Sequence, residues 1–374
     1  MSQSLRRFDW IMFSSIAVLL IISCLFIFSA GYRNADHALN GLAARQIVWA
    51  LIGLGCYGAA SALDYRKLNS VHWWIYLTGL LSLVLVLFLG MSVYGAHRWF
   101  SFGGITVQPS EFAKLAAIFT LAAWLGDPAT DVDRLRTFVL AFVLAGVPFL
   151  LIAIEPDLGS AMVLLPIVLL LLFCAGVPLR PLLILIGAGA VVLLVLIVWL
   201  RFFPDSCPIL TDYQKNRILV YLNVNEDPLG AGWNKLQSQI AVGSGGLFGK
   251  GYLKGTQNIL GFLPRTVAPT DFIYSVVAEE SGFAGSSLLL VLYTTVVVRC
   301  LRAAMLARDT FGRLLATGVG ILIFSHVFVN IAMTIGLMPI TGLPLPLMSY
   351  GGTFMVSTMT ALGLVQSVYL RRRI

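Results

Sequence analysis

The residues able to carry out chemistry lie in three short polar motifs between long apolar runs. Gln108-Pro109-Ser110-Glu111 is followed by Lys114, Glu155-Pro156-Asp157 separates two apolar runs, and Thr270-Asp271 opens another. Carboxylates can take a proton from a substrate hydroxyl or bind a divalent cation, and cationic groups can neutralise an anionic substrate. The residue types therefore indicate a polar site built for acid–base or phosphate chemistry.

Ionisable side chains are costly inside a membrane, so these motifs need an explanation. Each costs about 2.5–3.5 kcal/mol at the centre of a spanning helix, and such residues mostly face a partner or a wet cavity. Charged residues from sequence-distant places are expected at one depth, at or just below the outer face: Arg98, Glu111, Lys114, Glu155, Asp157, Arg201, Asp271, Glu279 and Glu280. This shared depth is the strongest functional signal in the residues themselves.

Glu111 and Lys114 are predicted to share one face of a helix. Ser110 is suited to cap that helix, Glu111 lies in the first turn where the dipole favours an anion, and Lys114 follows at i+3. The alternative is a capping acid with a structural ion pair. Because a lysine one turn into a membrane span needs a partner or a wet cavity, we favour a functional role.

Asp157 and Asp271 are each predicted to stand at the start of a helix. Pro156 ends the incoming helix and Asp157 caps the next one, so a purely structural turn is an equally good interpretation. Thr270 is predicted to cap the helix whose first positions include Asp271, and a helix-dipole anion is again the alternative.

Glu279 and Glu280 belong to the same predicted helix as Asp271. At 1.5 Å per residue they would lie about 12 Å below Asp271. Two adjacent acids at that depth need partners, and His326 and Asn330 of the next span are the predicted ones. We interpret this pair as mainly structural.

The composition of the chain requires a membrane around these motifs. Its 374 residues are 59% hydrophobic and only 11% charged, and the mean hydropathy is +0.90. Soluble domains carry about 25% charged residues, so a soluble enzyme, a secreted disulfide scaffold and a disordered chain are excluded. Long apolar runs with Gly and Pro interruptions indicate helices rather than an outer-membrane barrel.

We therefore predict an all-α polytopic membrane protein with about ten transmembrane helices in a single domain, 1–374. The first span is an uncleaved anchor from Ile11 to Phe28. The other predicted spans are 46–62, 72–93, 111–126, 137–154, 158–175, 182–203, 272–298, 314–336 and 351–369. Residues 204–270 are predicted to form a large extracytoplasmic loop within the domain.

The basic residues predict the orientation. One set of alternating helix ends holds fourteen of the 25 Lys and Arg residues. Because short loops rich in Lys and Arg stay in the cytoplasm, both termini are predicted to be cytoplasmic, in the cytoplasmic (inner) membrane. The polar motifs and the 204–270 loop then lie on the outer side.

Several other functions are not supported by the sequence. The net charge of +8 is explained by the positive-inside rule, so no nucleic-acid partner is predicted. The glycine-rich stretch 243–255 is not a Walker A loop, because Gly251 stands where Ser or Thr must follow Lys250. No His or Cys cluster has zinc spacing, and the five cysteines indicate no disulfide framework.

Eight motifs occur in an order that resembles the SEDS family (shape, elongation, division and sporulation proteins). They are GAHRWF from Gly95, QPSEFAK from Gln108, EPDLGSA from Glu155, DPLGAGW from Asp227, QSQIAVGSGG from Gln237, TDFI from Thr270, AEESG from Ala278 and GLPLPLMSYGG from Gly342. The stretch 240–251 is more similar to the elongation members than to the division members. The segment 263–269 departs from the family, since it is longer and lacks the usual Glu and His.

The resemblance implies a peptidoglycan glycosyltransferase. Such an enzyme polymerises lipid II into glycan strands at the outer face of the cytoplasmic membrane, for cell elongation and rod shape, with a class B penicillin-binding protein as partner. The family's essential aspartate corresponds to Asp271. Its cavity residues correspond to Arg98, Glu111, Lys114 and Asp157.

The remaining site assignments combine this resemblance with the chemistry of the residues. Arg98, Lys114, Gln108 and Ser349 are the predicted substrate-binding residues. Dependence on a divalent cation is a family trait, and Glu111 and Asp157 are the predicted ligands of Mg²⁺ or Mn²⁺. Asp271 is predicted as the general base. A helix N-terminus would lower its pKa and weaken it as a base, so a metal-ligand role for Asp271 stays open.

Two other functions stay open from the sequence. The first is a lipid II flippase or other transporter that uses the same charged cavity, although acids at the outer face rather than the midplane weigh against it. The second is a non-catalytic scaffold for a penicillin-binding protein.

Overall fold

The computed structural model describes residues 7–32, 41–93, 96–103, 105–202, 212–223, 227, 230–264 and 266–372. Its helices are α1 (Trp10–Gly31), α2 (Gly41–Ala62), α3 (Arg66–Asn69), α4 (His72–Leu89), α5 (Pro109–Leu125), α6 (Leu135–Ile154), α7 (Leu158–Met162), α8 (Leu164–Ala175), α9 (Leu179–Phe202), α10 (Asp212–Leu222), α11 (Ala231–Ser244), α12 (Thr256–Ile259), α13 (Ile273–Leu306), α14 (Thr310–Thr334) and α15 (Gly352–Leu370). The strands are β1 (Met91–Val93), β2 (Ala96–Phe102) and β3 (Ile105–Val107).

The prediction of an all-α polytopic membrane protein is confirmed. Within the described residues, nine helical stretches are long and apolar enough to cross a membrane: α1, α2, α4, α6, the α7–α8 pair, α9, α13, α14 and α15. Helix α5 has 17 residues and is almost completely buried among its neighbours. The count of ten spans therefore stays a prediction that depends on α5.

The helices fall into a buried set and a lipid-facing set. Most of the length of α14 and α15 is buried, whereas α9 exposes most of its apolar side chains. Small residues allow close packing at the centre: Gly363 of α15 lies against the backbone of Tyr57, and Gly53 of α2 lies against Met359. Such contacts drive helix association where lipid removes the hydrophobic driving force.

A small antiparallel sheet, β1-β2-β3, lies between α4 and α5, and its first strand takes the last residues of the predicted 72–93 span, because the helix ends at Leu89. Met91 pairs with Trp99, and Phe100 pairs with Val107. The sheet was not predicted, because a few short strands between two helices leave no clear alternating pattern. It matters because β2 carries Arg98.

Helix α13 is broken at Gly282, which has φ +65° and ψ −160°. The glycine-rich loop 245–251 fills the break with its backbone. Lys250 N donates to the Glu279 carbonyl at 3.0 Å, and Phe283 N donates to the Gly246 carbonyl at 2.8 Å. Backbone groups freed by a break need partners in an apolar environment, so the loop stabilises the broken helix.

The depth order predicted along this helix is wrong. We call the Gly31 end of α1 outer, after the predicted orientation. Glu280 accepts a hydrogen bond from Ser29 at this outer end. The turn that carries Asp271 is instead held by the 348–349 segment, which accepts a hydrogen bond from Ser23. Ser23 lies about 9 Å further in than Ser29 along α1, so Glu280 is nearer the outer end than Asp271 is.

The predicted partners of the two glutamates are also wrong. The Glu279 carboxylate accepts from Lys250 Nζ at 2.6 Å and from Thr256 Oγ1 at 2.9 Å. His326 and Asn330 make other contacts, near Lys114 and Asp271. The structural interpretation of the pair agrees with this arrangement, because both glutamates tie the outer loop to α13.

Candidate functional site

Asp157 lies in the turn between α6 and α7, and Arg98 holds that turn in place. The Arg98 guanidinium donates to the carbonyl of Glu155 at 2.7 Å and to the carbonyl of Pro156. Asp157 caps α7, as predicted, by accepting from Ser160 N at 3.2 Å. These two contacts with the backbone hold the positive charge of Arg98 and the negative charge of Asp157 at the same edge of the helix bundle.

Gln108 and Glu155 complete this side of the site. Gln108 Nε2 donates to Asp157 Oδ2 at 3.2 Å. Both carboxylate oxygens of Glu155 are buried and find no hydrogen-bond partner among the described residues. Burial, reinforced by the nearby Asp157 charge, raises the pKa of Glu155 to about 8, and Arg98 opposes the shift. Glu155 is therefore protonated at neutral pH.

Asp271 lies in the turn just before α13. Asn330 of α14 holds its backbone, with Nδ2 donating to the Asp271 carbonyl at 2.9 Å and to the Leu343 carbonyl at 2.7 Å. Ser349 Oγ donates to the carbonyl of Thr270 and accepts from Leu345 N at 2.8 Å. Ser349 thus positions the Asp271 turn, with its hydroxyl engaged inside the chain.

Thr270 is predicted to cap α13 and Ser110 to cap α5, and neither side chain caps its helix. Phe272 occupies the N-cap position of α13 without a side-chain cap, and the Thr270 hydroxyl bonds back to the Thr266 carbonyl at 3.2 Å. Gln108 occupies the N-cap position of α5, and the buried hydroxyl of Ser110 meets no hydrogen-bond partner within the described part of the chain.

Arg217 of α10 lies beside Asp271. Its Nη1 donates to the Thr341 carbonyl at 2.6 Å. Arg217 Nη2 and Asp271 Oδ2 each come 3.4 Å from the position that a Cβ on Gly342 would occupy. Gly342 has φ +74°, so a side chain there would be strained as well as crowded. The 341–342 segment therefore brings the two charges together.

The electrostatics of Asp271 suit a base. Burial raises the pKa of its carboxyl above the ordinary value, whereas Arg217, a hydrogen bond from Thr270 and, more weakly, Arg98 lower it. The charge of Asp157 also acts on Asp271 and raises the pKa further. Burial outweighs the groups that lower the pKa, so Asp271 is a stronger base than its place at the start of a helix predicts.

Glu111 and Lys114 form the predicted pair at a more buried level. Lys114 Nζ lies 2.9 Å from Glu111 Oε1 and 3.0 Å from His326 Nε2, and the Lys114 side chain is 0% exposed. His326 Nδ1 lies 3.3 Å from the Pro344 carbonyl. The charge of Asp157 is close enough to act on Glu111. The Glu111–Lys114 pair therefore lies near the Asp157 turn, and its two charges neutralise each other.

The donor set fits a divalent cation only in part. Among the described residues, no three His, Cys, Asp or Glu side chains are grouped to hold a metal ion. The Lys114 ammonium already neutralises Glu111, which disfavours Glu111 as a ligand. Mg²⁺ is commonly held by one or two carboxylates together with substrate phosphates. Asp157 fits that mode, since it accepts from Gln108 and Ser160 N and, among the residues that the structure describes, no cationic side chain bonds to it.

The sequence did not identify Arg217, His326 or the 341–342 segment as parts of the site. Arg217 lies in a polar outer segment with no motif around it, and its proximity to Asp271 depends on how α10 packs. A lone histidine in an apolar span was the available signal for His326, because such residues need a partner.

The site combines one partly buried carboxylate with two guanidinium groups at the outer ends of several helices. A carboxylate with a raised pKa can accept a proton from a hydroxyl nucleophile. Fixed guanidinium groups can stabilise negative charge on a departing phosphate. The arrangement therefore suits group transfer from an anionic leaving group.

Two named relatives resemble the chain over nearly its whole length. Peptidoglycan glycosyltransferase MrdB of Escherichia coli (strain K12) is 38% identical over 355 residues, which cover 95% of this chain and 91% of MrdB. Peptidoglycan glycosyltransferase RodA of Treponema pallidum is 34% identical over 430 residues and covers 98% of both chains.

Two solved structures share the fold. A chain from a study of how a peptidoglycan synthase complex coordinates polymerization and crosslinking has a TM-score of 0.77 and 32% identity, and covers 97% of both chains. The rod shape determining protein RodA of Thermus thermophilus has a TM-score of 0.71 and 29% identity over 98% of this chain and 97% of its own. The model of the FtsW/RodA/SpoVE family of cell cycle proteins matches residues 9–374, and the chain therefore belongs to that family.

Proposed function

We propose that this protein is a peptidoglycan glycosyltransferase that polymerises lipid II into glycan strands for cell elongation and rod shape. The observation that carries the proposal is the convergence of Asp271, Arg217 and the Arg98–Asp157 turn on one site, in a chain of this family. The names of the relatives support the reaction class.

In the proposed reaction, a sugar hydroxyl of one lipid-linked substrate attacks the anomeric carbon of another. Asp271 takes the hydroxyl proton as the new glycosidic bond forms. The bond from the anomeric carbon to the lipid diphosphate breaks, and the diphosphate leaves with the electron pair. Arg98 and Arg217 stabilise the charge that develops on the diphosphate. Gln108 and Ser349 hold the Asp157 and Asp271 turns in register.

A divalent cation, Mg²⁺ or Mn²⁺, would enter with the diphosphate, with Asp157 as its protein ligand. When bound, it would supply further positive charge at the leaving group. Lys114, buried beside Glu111, neutralises the charge of that carboxylate, so that no additional negative charge faces the diphosphate.

We place the site on the outer side of the cytoplasmic (inner) membrane, with both termini in the cytoplasm. The positive-inside rule supports this orientation. A class B penicillin-binding protein is the proposed partner, and the likeness to a chain of a peptidoglycan synthase complex supports it. The 204–270 segment would then contribute α10, α11 and α12 to the outer side.

Incubation of purified protein with lipid II in detergent tests the proposed activity. We expect glycan strands on a denaturing gel in the presence of Mg²⁺ and without a partner protein. Because detergent offers no bilayer to cross, a flippase would give no product. A scaffold would also give none alone, but product would appear when an active penicillin-binding polymerase is added.

A further inference from the structure

A second polar cavity lies at the end of the bundle opposite Asp271. It has a volume of about 630 Å³ and lies where the turns after α3, α5 and α13 meet. The residues that line it include Arg66, Asn69, Arg308, Asp309, Thr310 and Arg313. We call it the arginine cavity. None of these residues takes part in the site around Asp271.

The arginine cavity carries an excess of positive charge. Its one lining carboxylate, Asp309, is engaged by Tyr65 Oη at 2.6 Å, by Gly312 N at 2.7 Å and by Arg66 Nε at 3.7 Å. Asp309 thus balances Arg66 and caps α14. The side chain of Arg313 is exposed, and it makes no hydrogen bond or ion pair with any part of the chain that the structure describes.

An apolar stripe leads from the lipid-facing surface to this cavity. Val298, Leu301 and Met305 are exposed on one face of α13 at i, i+3 and i+7, and Met305 also lines the cavity and is 77% exposed. A ligand that followed both surfaces would carry an anionic group at one end and hydrocarbon at the other. Asn69 and Thr310 add neutral hydrogen-bond donors near the charged end.

We propose that the arginine cavity binds the phosphate headgroup of an anionic phospholipid, with an acyl chain along Val298, Leu301 and Met305. Basic pockets between helices at a membrane surface are suited to such headgroups, because guanidinium groups donate paired hydrogen bonds to phosphate. The headgroup would contact the turn between α13 and α14. Helix α13 begins just after Asp271, and Asn330 lies near the other end of α14. The binding proposal does not depend on the activity proposed for the outer site.

Native mass spectrometry of the delipidated full-length protein tests the proposal. The protein is titrated in separate arms with dioleoylphosphatidylglycerol, dioleoylphosphatidylcholine and inorganic phosphate. We expect phosphatidylglycerol to be retained, phosphatidylcholine to be retained more weakly, and inorganic phosphate not to bind. Equal retention of the two lipids would contradict the charged headgroup site. Binding of inorganic phosphate with no preference for phosphatidylglycerol would contradict a lipid ligand.

Arg313→Gln locates the site, and Arg136→Gln is the matched control. Arg136 is an exposed arginine at the same end of the bundle that does not line the cavity. We expect about fivefold weaker binding of phosphatidylglycerol for Arg313→Gln and no change for Arg136→Gln. Unfolding temperatures of both variants establish that each is folded. Equal binding by the wild type and both variants would place the lipid elsewhere and overturn the proposal.

Discussion

Asp271 owes its proposed strength as a base to its surroundings rather than to its position in the chain. Burial raises its pKa, and the nearby Arg217 limits that rise. A base is useful only while deprotonated, so activity is expected to fall as the pH drops through the pKa of Asp271. The balance between burial and Arg217 therefore sets the acidic limit of activity.

Arg217→Gln tests this balance at the residue scale. Without the guanidinium, the pKa of Asp271 is expected to rise, so the acidic limb of the pH–rate profile moves to higher pH. The maximal rate is expected to fall on the order of 10²-fold, because a charge that stabilises the leaving group is lost. Arg217→Lys keeps the positive charge, so the acidic limb of its pH–rate profile should stay close to that of the wild type. An unchanged limb in Arg217→Gln would show that Arg217 does not act on Asp271.

The Glu111–Lys114 pair gives a second prediction at this scale. Lys114→Met leaves a buried carboxylate without its cation, and we expect a loss of about 3–5 kcal/mol in unfolding free energy. Lys114→Met combined with Glu111→Gln removes both charges and should restore most of the unfolding temperature measured in detergent. We expect the double variant to polymerise lipid II at no more than about a tenth of the wild-type rate. A wild-type rate in the double variant would assign the pair a structural role alone.

At the element scale, the break in α13 separates the helical segment that follows Asp271 from the rest of the helix. The hydropathy pattern predicted one continuous helix from 272 because a run of apolar residues does not reveal a change of direction. Gly282 was present in the AEESG motif, but a glycine within a helical pattern has several explanations. The loop 245–251 was recognised as glycine-rich, and its packing into the break required the three-dimensional contacts.

Gly282→Ala should disrupt this element. An alanine at φ +65° is strained by about 1–3 kcal/mol. Its Cβ would also lie 2.3 Å from Gly249 N, which adds an overpacking cost of about 1–3 kcal/mol. We expect a lower unfolding temperature and loss of polymerisation. Gly243→Ala is the matched control, since a Cβ on this α11 residue would come within 4 Å of no side chain or neighbouring backbone that the structure describes. Equal unfolding temperatures for the two variants would show that the break at Gly282 is not specifically stabilised.

For the whole molecule, the sequence predicted the membrane helices far better than their arrangement. Each span is defined by local hydropathy, so the predicted bounds agree closely with α1, α5, α6, α9 and α15. The Glu111–Lys114 pair and the Asp157 cap are local in sequence and were also predicted correctly. Arg217 beside Asp271 and His326 beside Lys114 depend on contacts between distant helices, which periodicity does not encode.

The predicted orientation can be tested by cysteine labelling of a cysteine-free background. Lys254 is exposed at the outer end and Asp133 is exposed at the opposite end, so Lys254→Cys and Asp133→Cys form a matched pair. We expect a membrane-impermeant maleimide to label the Lys254 position in intact spheroplasts and the Asp133 position only after permeabilisation. The reverse pattern would invert the topology and place Asp271 on the cytoplasmic side.

The central claim is that the Asp271 carboxylate is the base in glycan polymerisation. The most direct measurement compares purified Asp271→Asn with wild type in lipid II polymerisation. Asp227→Asn is the matched control, because Asp227 is an outer-side aspartate that accepts from the N–H of Ala231, the first residue of α11, at 2.8 Å. We predict that Asp271→Asn keeps its unfolding temperature and loses at least about 10²-fold in rate, while Asp227→Asn stays active. Glycan strands made by Asp271→Asn at a near wild-type rate would contradict the account.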